Sequence, residues 1–358
     1  MNPAEFVIIG GGWRAQFFLR GARDNPALFR VSGMMVRDAA KGRQFELAWG
    51  VKTFRTIDQL LAATSPLFAV VSVPRSVVVD LLEDLTNRNI PVLTETPPGS
   101  DVASLDRVNA LTPRGGRIQV AEQYIFQPMH AARLAVVRSG VLGTPSQAQV
   151  SFTQGYHGIS LIRHYLGIKA EPVRITARRF ESPIYKGPDR SGPPKEEKLI
   201  TCAQTIAWLE WPGKLGVFDF ANDQHRSYVR SDRVLVRGEK GEINQSRVRH
   251  LGDFKTPITF DLLRHDAGID TNLEGYHHRG IVGGGRWWYE NPFVGDRLAD
   301  DEIAVATCLS KMADYARGGD DFYSLAEASH DHYLSLMMEQ SAVSQTPVDV
   351  PTMAWAKW

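Results

Sequence analysis

The run Phe6-Val7-Ile8-Ile9-Gly10-Gly11-Gly12-Trp13-Arg14-Ala15 joins a short apolar stretch to a glycine-rich turn and then to a segment of helical spacing. Four consecutive apolar residues read as a strand buried on both faces, as in a parallel sheet covered by helices. The turn matches G-x-G-x-x-A in the strand, turn, helix context that a dinucleotide fingerprint requires. Gly10 permits the tight turn, Gly12 leaves room for a pyrophosphate to approach the backbone, and Ala15 lets the helix pack close to the strand. The first N–H groups of the helix then face the phosphates. Trp13 and Arg14, inside the turn, join the candidate cofactor-binding residues. A glycine-rich turn without a ligand is the alternative, and the repeat that follows weighs against it.

Working outward, apolar runs at 31–36, 68–73, 90–93 and 118–121 alternate with helically spaced segments at 17–22, 44–49, 57–63, 77–85 and 102–111, with Ser76 and Ser100 placed as N-caps. This predicts an α/β fold: an N-terminal Rossmann doubly wound parallel sheet over residues 1–122. After Gln123 the pattern changes to alternation of polar and apolar residues at 146–152, 173–180, 200–211, 215–220 and 229–236. Residues 123–358 therefore read as a C-terminal α+β domain with a large, mostly antiparallel open-faced sheet. One helix, 157–167, interrupts it and stops at Gly167. Residues 183–198 read as an exposed loop, 266–296 as an irregular aromatic stretch, and 300–318 and 324–340 as helices returning toward the first domain.

At about 150 residues per domain, 358 residues suggest two domains. Hydrophobic residues make up 43% and charged residues 23%, which excludes a disordered chain. The net charge of +1 gives no footprint for nucleic acid or an anionic membrane, so the expected partner is a small molecule. Cys202 and Cys308 are too far apart for a metal knuckle and fit a reducing compartment. The first residues lack the basic region of a signal peptide, and no apolar run approaches the roughly 18 residues of a membrane span, so a cytoplasmic protein is expected. His330 and His332 lack metal-ligand spacing, and no metal is assigned.

About twenty residues past the glycines, where an acid would bind the adenosine ribose of NAD, stands Val36. Arg37 next to it could pair with the 2′-phosphate of NADP, stack on adenine, or be a surface arginine, and Asp38 could still reach the ribose. Ser72, Val73 and Pro74 end one strand and Glu95 the next, at the edge where open α/β sheets bind ligands.

Taken together, Ile9 through Ala15, Val70-Val71-Ser72-Val73-Pro74, Pro91-Val92-Leu93-Thr94-Glu95-Thr96-Pro97, Gln123-Tyr124-Ile125-Phe126-Gln127-Pro128, Gly155-Tyr156-His157 and the late hairpin from Val236 to Ile243 resemble the Gfo/Idh/MocA oxidoreductases over nearly the whole chain. The resemblance implies NAD or NADP as cofactor, with Gln123 among its contacts, and hydride transfer at a hydroxyl carbon of a sugar-like or cyclic polyol substrate. It also implies a homodimer or homotetramer formed through the open sheet.

Three positions depart from the family pattern. The lysine of its Glu-Lys-Pro motif is Thr96, its aspartate four residues before the histidine is Thr153, and its arginine near Phe-x-Pro is Ile125. His157 remains as the proton carrier, with Tyr156 and Tyr124 as secondary hydroxyls, each equally at home as a buried aromatic. Tyr276, His277, Trp287 and Trp288 are candidate walls for a sugar. Two other chemistries fit the same residues: an NAD-retaining glycosidase that works by transient oxidation and elimination, and a catalytically degenerate nucleotide-binding protein.

Overall fold

In the computed structural model, which describes residues 2–269, 271 and 275–358, the first apolar run becomes β1 (Ala4–Ile9). Around it lie β2 (Phe29–Met35), β3 (Thr53–Phe54), β4 (Phe68–Val71), β5 (Val92–Thr94) and β6 (Ile118–Val120), in the order β3-β2-β1-β4-β5-β6. Every neighbouring pair is parallel. The connecting helices are α1 (Ala15–Asp24), α2 (Ala39–Trp49), α3 (Ile57–Ala63), α4 (Arg75–Asn87) and α5 (Val102–Asn109). Strand alternation sends Phe6 and Ile8 into one apolar layer, with Phe18, and Val7 and Ile9 into the other, with Leu82. The strand order reverses between β1 and β4, and the carboxyl ends of those two strands open a crevice.

Two details of this half differ from the expectation. Strand β3, two residues long, is too short to stand out as an apolar run. The helix caps are not Ser76 and Ser100. Helix α4 starts directly after Pro74, whose ring already fixes φ, and Ser76 lies inside it. Asp101 caps α5 by accepting the Ser104 N–H at 2.8 Å, and the Ser104 hydroxyl accepts the Asp101 N–H at 2.9 Å.

The rest of the chain runs through α6 (Pro128–Arg138), β7 (Pro145–Ser151), α7 (Gly155–Leu166), β8 (Val173–Tyr185), β9 (Leu199–Trp211), β10 (Lys214–Ala221), β11 (Arg233–Gly238), β12 (Gly241–Asn244), β13 (Arg247–Leu251) and β14 (Pro257–Asp261). It ends with β15 (Leu263–Ala267), β16 (His277–Gly283), β17 (Arg286–Glu290), α8 (Asp300–Ala316), α9 (Leu325–Ser344) and β18 (Val348–Val350). Nine of these strands form one sheet in the order β14-β13-β12-β11-β7-β10-β9-β8-β18, antiparallel except at β7 and β10. One face buries Ile175, Ala177, Ala207, Leu209, Ala148 and Val150 beneath α7 and α9. The other leaves Phe180, Ile206 and Trp208 exposed.

Helix α7 ends as expected, with Gly167 in the left-handed conformation at φ 62°. Buried Arg163 on this helix pairs with Asp331 on α9 and ties the two helices together. Strand β8 continues to Tyr185, so the exposed loop is 186–198. The stretch at 266–296 is largely regular, because β15, β16 and β17 form a three-stranded sheet; Asp270 and 272–274 lie outside the described residues. Its glycines mark a hairpin turn, with Gly284 and Gly285 at φ 55° and 79°, as a two-residue connection between β16 and β17 requires. Helix α8 packs on α1 in the core of the first sheet, as expected. Among the described residues no helix is long and apolar enough to cross a membrane.

The core beneath the second sheet holds buried histidines. Burial pushes His164 and His330 down to about 3 and His332 down to about 4. In the unfolded chain each titrates near its ordinary value of about 6.5, so between these limits the unfolded state binds more protons. Stability is therefore full above about pH 6.5 and falls as the pH drops toward 4, with each histidine adding a slope of up to about 1.4 kcal/mol per pH unit. Urea midpoints should be level near pH 7.5 and fall as the pH drops below about 6.5 toward 5, and His330→Gln should flatten that fall; an unchanged slope in the variant would exclude His330 as a contributor.

Candidate functional site

Where β1 turns into α1, Gly10 has φ 117° and lies so close to β4 that a Cβ would stand 2.0 Å from the Ser72 carbonyl oxygen. Only glycine fits there. At Gly12, by contrast, a Cβ would meet nothing within 4 Å. Gly12 borders a cleft of about 750 Å³ at the carboxyl edge of the sheet, within the usual range for a ligand pocket. Gly10, Trp13 and Arg14 line it at the turn, Arg37 and Asp38 past the end of β2, Ser72, Val73 and Pro74 past β4, and Glu95 and Thr96 past β5. Ala15 is fully buried where α1 meets the sheet. A close-packed glycine turn, an unobstructed Gly12 and the first N–H groups of α1 at one cleft fit a dinucleotide.

Past β2, Asp38 caps α2 by accepting the Lys41 N–H at 2.7 Å. Val36 is buried, and its carbonyl accepts from Arg55 at 2.7 Å. Arg37, exposed and without an ion pair among the described residues, shares this end of the cleft with Lys41 and Arg75, two cations that the sequence reading passed over.

Arg14 does something that its place in the motif does not announce. Its Nε donates to Glu95 Oε1 and its Nη1 to Asp301 Oδ2 on α8, both at 3.0 Å. Burial works against the charge, and the two carboxylates overcome it, so the guanidinium is held above its ordinary range. The second oxygen of Glu95 accepts the Thr96 N–H at 3.3 Å. Asp301 also accepts from Gln127 at 3.4 Å, just before α6. No sequence signal marks Asp301, because the contact spans 287 positions.

His157 does not cap its own helix. Its Nδ1 is hydrogen-bonded to Glu122 Oε2 at 2.6 Å, and donation from Nδ1 to that carboxylate leaves the lone pair on Nε2; the side chain is buried and does not line the cleft. Helix α7 is pressed against β10 at the next residue, since a Cβ on Gly158 would stand 2.6 Å from the Phe218 ring. This contact fixes the histidine's position. Glu122 is fully buried one residue past the run that forms β6, and an acid at the carboxyl end of a parallel strand is the signal that would have found it. Burial pushes its carboxyl up, and the contact with His157 pulls it back. Strand pairing joins Thr94 to Val120, so Glu95 and Glu122 leave the sheet from adjacent strand ends.

The Tyr124 ring packs on His157 with centroids 4.5 Å apart, and burial pushes its phenol up to about 12. The Tyr156 hydroxyl is enclosed without a hydrogen-bond partner and burial pushes it well up, which fits a core position better than proton exchange. Gln123 is buried beside Glu122, with its Oε1 enclosed and unpartnered, and does not line the cleft. Thr153 is fully buried. The aromatic candidates lie away from the cleft: Trp288 stacks on Phe260, Trp287 on His265 and Tyr276 on His277.

Residues 4–123 match the family described as oxidoreductase, NAD-binding Rossmann fold. A search of curated protein sequences gives no match. Among solved structures, an oxidoreductase from Agrobacterium radiobacter in complex with NAD+, L-tartaric acid and magnesium shares 16% identity, covers 97% of this chain and 98% of its own, and has a TM-score of 0.69. A myo-inositol 2-dehydrogenase from Lactobacillus plantarum shares 14%, covers 98% of this chain and 100% of its own, and has a TM-score of 0.68. The WlbA dehydrogenase from Chromobacterium violaceum, in complex with NADH and UDP-GlcNAcA, shares 13%, covers 99% and 97%, and has a TM-score of 0.64. At these identities the likeness is one of fold, and it extends over both sheets. The family match is thus confined to residues 4–123, which resemble the NAD-binding Rossmann domain of the Gfo/Idh/MocA oxidoreductases.

Proposed function

We propose that the protein is an NAD(P)-dependent oxidoreductase that moves a hydride to or from a hydroxyl carbon of a sugar-like or cyclic polyol substrate, with His157 exchanging the hydroxyl proton. The carrying observation is the His157 to Glu122 hydrogen bond of 2.6 Å, beside the strand end that lines the cleft. When bound, the dinucleotide supplies the hydride acceptor or donor. The turn from Gly10 to Arg14 holds its phosphates through backbone N–H groups, and Ser72, Val73 and Pro74 border its path. Nε2 of His157 takes the proton, and the Glu122 carboxylate stabilises the resulting imidazolium through Nδ1. Thr96 offers a neutral hydroxyl to orient the substrate. The substrate class is supported by the fold shared with a myo-inositol dehydrogenase and with a dehydrogenase that binds a nucleotide sugar.

The adenosine end favours NADP. Val36 has no side-chain acceptor for a ribose hydroxyl, Asp38 is engaged at the start of α2, and Arg37, Lys41 and Arg75 surround the same end of the cleft. The exposed Phe180, Ile206 and Trp208 support homo-oligomer formation through the open sheet, and two buried, unpaired cysteines support a cytoplasmic location.

Three variants test this reading. Gly12→Val should fold normally, since its side chain meets only open space, yet lose NAD and NADP binding by calorimetry; unchanged affinity would refute the cleft assignment. Arg37→Ala should weaken NADP more than NAD, while equal losses would indicate adenine stacking. His157→Ala should lower turnover by about 10²- to 10⁴-fold with dinucleotide affinity retained. Near-normal turnover would place the proton carrier elsewhere. Nicotinamide absorbance followed with free polyols and sugars should change stoichiometrically, whereas release of an aglycone without net absorbance change would establish the glycosidase instead.

A further inference from the structure

The loop 186–198, between β8 and β9, belongs to the second sheet but ends at the glycine turn of the first. Its base is anchored, since Gly187 lies so close to the 224–226 turn that a Cβ would stand 3.0 Å from the Arg226 carbonyl oxygen. That turn is fixed in its own sheet by Gln224, whose Nε2 donates to the Ser151 carbonyl at 2.7 Å. The tip is a folded turn as well. Asp189 and Gly192 pair through their backbones at 3.0 and 3.1 Å, and the Ser191 N–H donates to Asp189 Oδ1 at 2.8 Å. From this tip the Arg190 guanidinium lies 4.0 Å from the centroid of the Trp13 ring.

Two further facts give this contact a meaning. Trp13 is 45% exposed and lines the dinucleotide cleft. Arg190 has no carboxylate within ion-pair distance among the described residues, whereas the charge of Arg14, next to Trp13 on the glycine turn, is matched by Glu95 and Asp301. A guanidinium stacked on an aromatic face keeps its in-plane N–H groups free, and that edge suits two oxygens of a phosphate. Stacking also fixes the long side chain in advance, so little rotamer freedom is lost when an anion arrives.

We propose that Arg190 is a dinucleotide-binding residue contributed by the second sheet, pairing with the pyrophosphate held over the Gly10 to Gly12 turn and closing the cleft across Trp13. This rests on the dinucleotide reading of the cleft. It gives the second sheet a direct part in cofactor affinity.

The test is calorimetry of the full-length protein, Arg190→Ala and Arg190→Lys with NAD+ and NADP+ at several salt concentrations, with melting temperatures recorded alongside. The expected result is unchanged melting, an affinity for both dinucleotides weakened by roughly ten-fold or more in Arg190→Ala, a shallower salt dependence in that variant, and partial recovery in Arg190→Lys. Equal affinity in Arg190→Ala and the unmodified protein overturns the proposal and leaves the dinucleotide reading standing, and a raised KM for substrate would then assign Arg190 to a substrate anion. Weaker binding with an unchanged salt dependence also overturns it, reducing Arg190 to a packing partner of Trp13. If the unmodified protein binds neither dinucleotide, the cleft reading fails and this proposal fails with it.

Discussion

The site depends on the Arg14 guanidinium, held between Glu95 and Asp301. Arg14 comes from the glycine turn, Glu95 from the end of β5 and Asp301 from α8, a helix almost three hundred residues away in sequence that folds back onto the first sheet. A mostly buried cation is tolerated only while its carboxylates stay in place, and removing one partner of such a pair typically costs about 3–5 kcal/mol. The same three groups therefore fix the start of α1, the strand end beside the cleft and the packing of α8. Gln127, which donates to Asp301, carries the constraint to the start of α6.

A second pair of charges repeats this logic one strand over. Glu95 and Glu122 leave adjacent strands of the parallel sheet, at an edge where a buried carboxylate is unfavourable unless it is paired. Glu95 takes a cation from the nucleotide turn, and Glu122 takes an imidazole from α7 in the other half of the molecule. The two carboxylates hold different partners. Arginine stays charged throughout, whereas the partner of Glu122 is an imidazole. Neighbouring positions on one sheet edge thus hold a guanidinium and, in the proposed reaction, the proton carrier.

Much of the first half could be read from local pattern, because a strand buried on both faces leaves a short unbroken apolar run and the glycine turn after it marks its end. The cleft residues from Gly10 to Thr96 follow from that reading and from the rule that ligands bind at strand carboxyl ends. What the sequence did not show has physical reasons. The glycines at 283–285 looked irregular, yet they build a hairpin, because the left-handed backbone that a tight turn needs is available to glycine and not to its neighbours. The roles of Arg14, Asp301 and Glu122 depend on contacts between residues far apart in the chain, which no local spacing encodes. Ser76 and Ser100 were plausible caps by residue type, but the neighbouring Pro74 and Asp101 set those helix starts, and composition alone does not rank such competitors.

Thr96 carries the last step. A lysine at that strand end would place a mobile positive charge beside the reacting hydroxyl and ease loss of its proton. With threonine there, the cation tied to this strand end is Arg14, through Glu95, and its charge is already matched by two carboxylates. In the proposed reaction the substrate hydroxyl then meets a matched charge at this edge, and a base must draw its proton. An imidazole whose Nδ1–H is hydrogen-bonded to a buried carboxylate suits that role, because the carboxylate stabilises the imidazolium. Under the proposed reaction, losing the lysine moves the work of deprotonation from a cation that stabilises an alkoxide to a histidine that removes the proton, and the buried Glu122 is what makes that exchange physically reasonable.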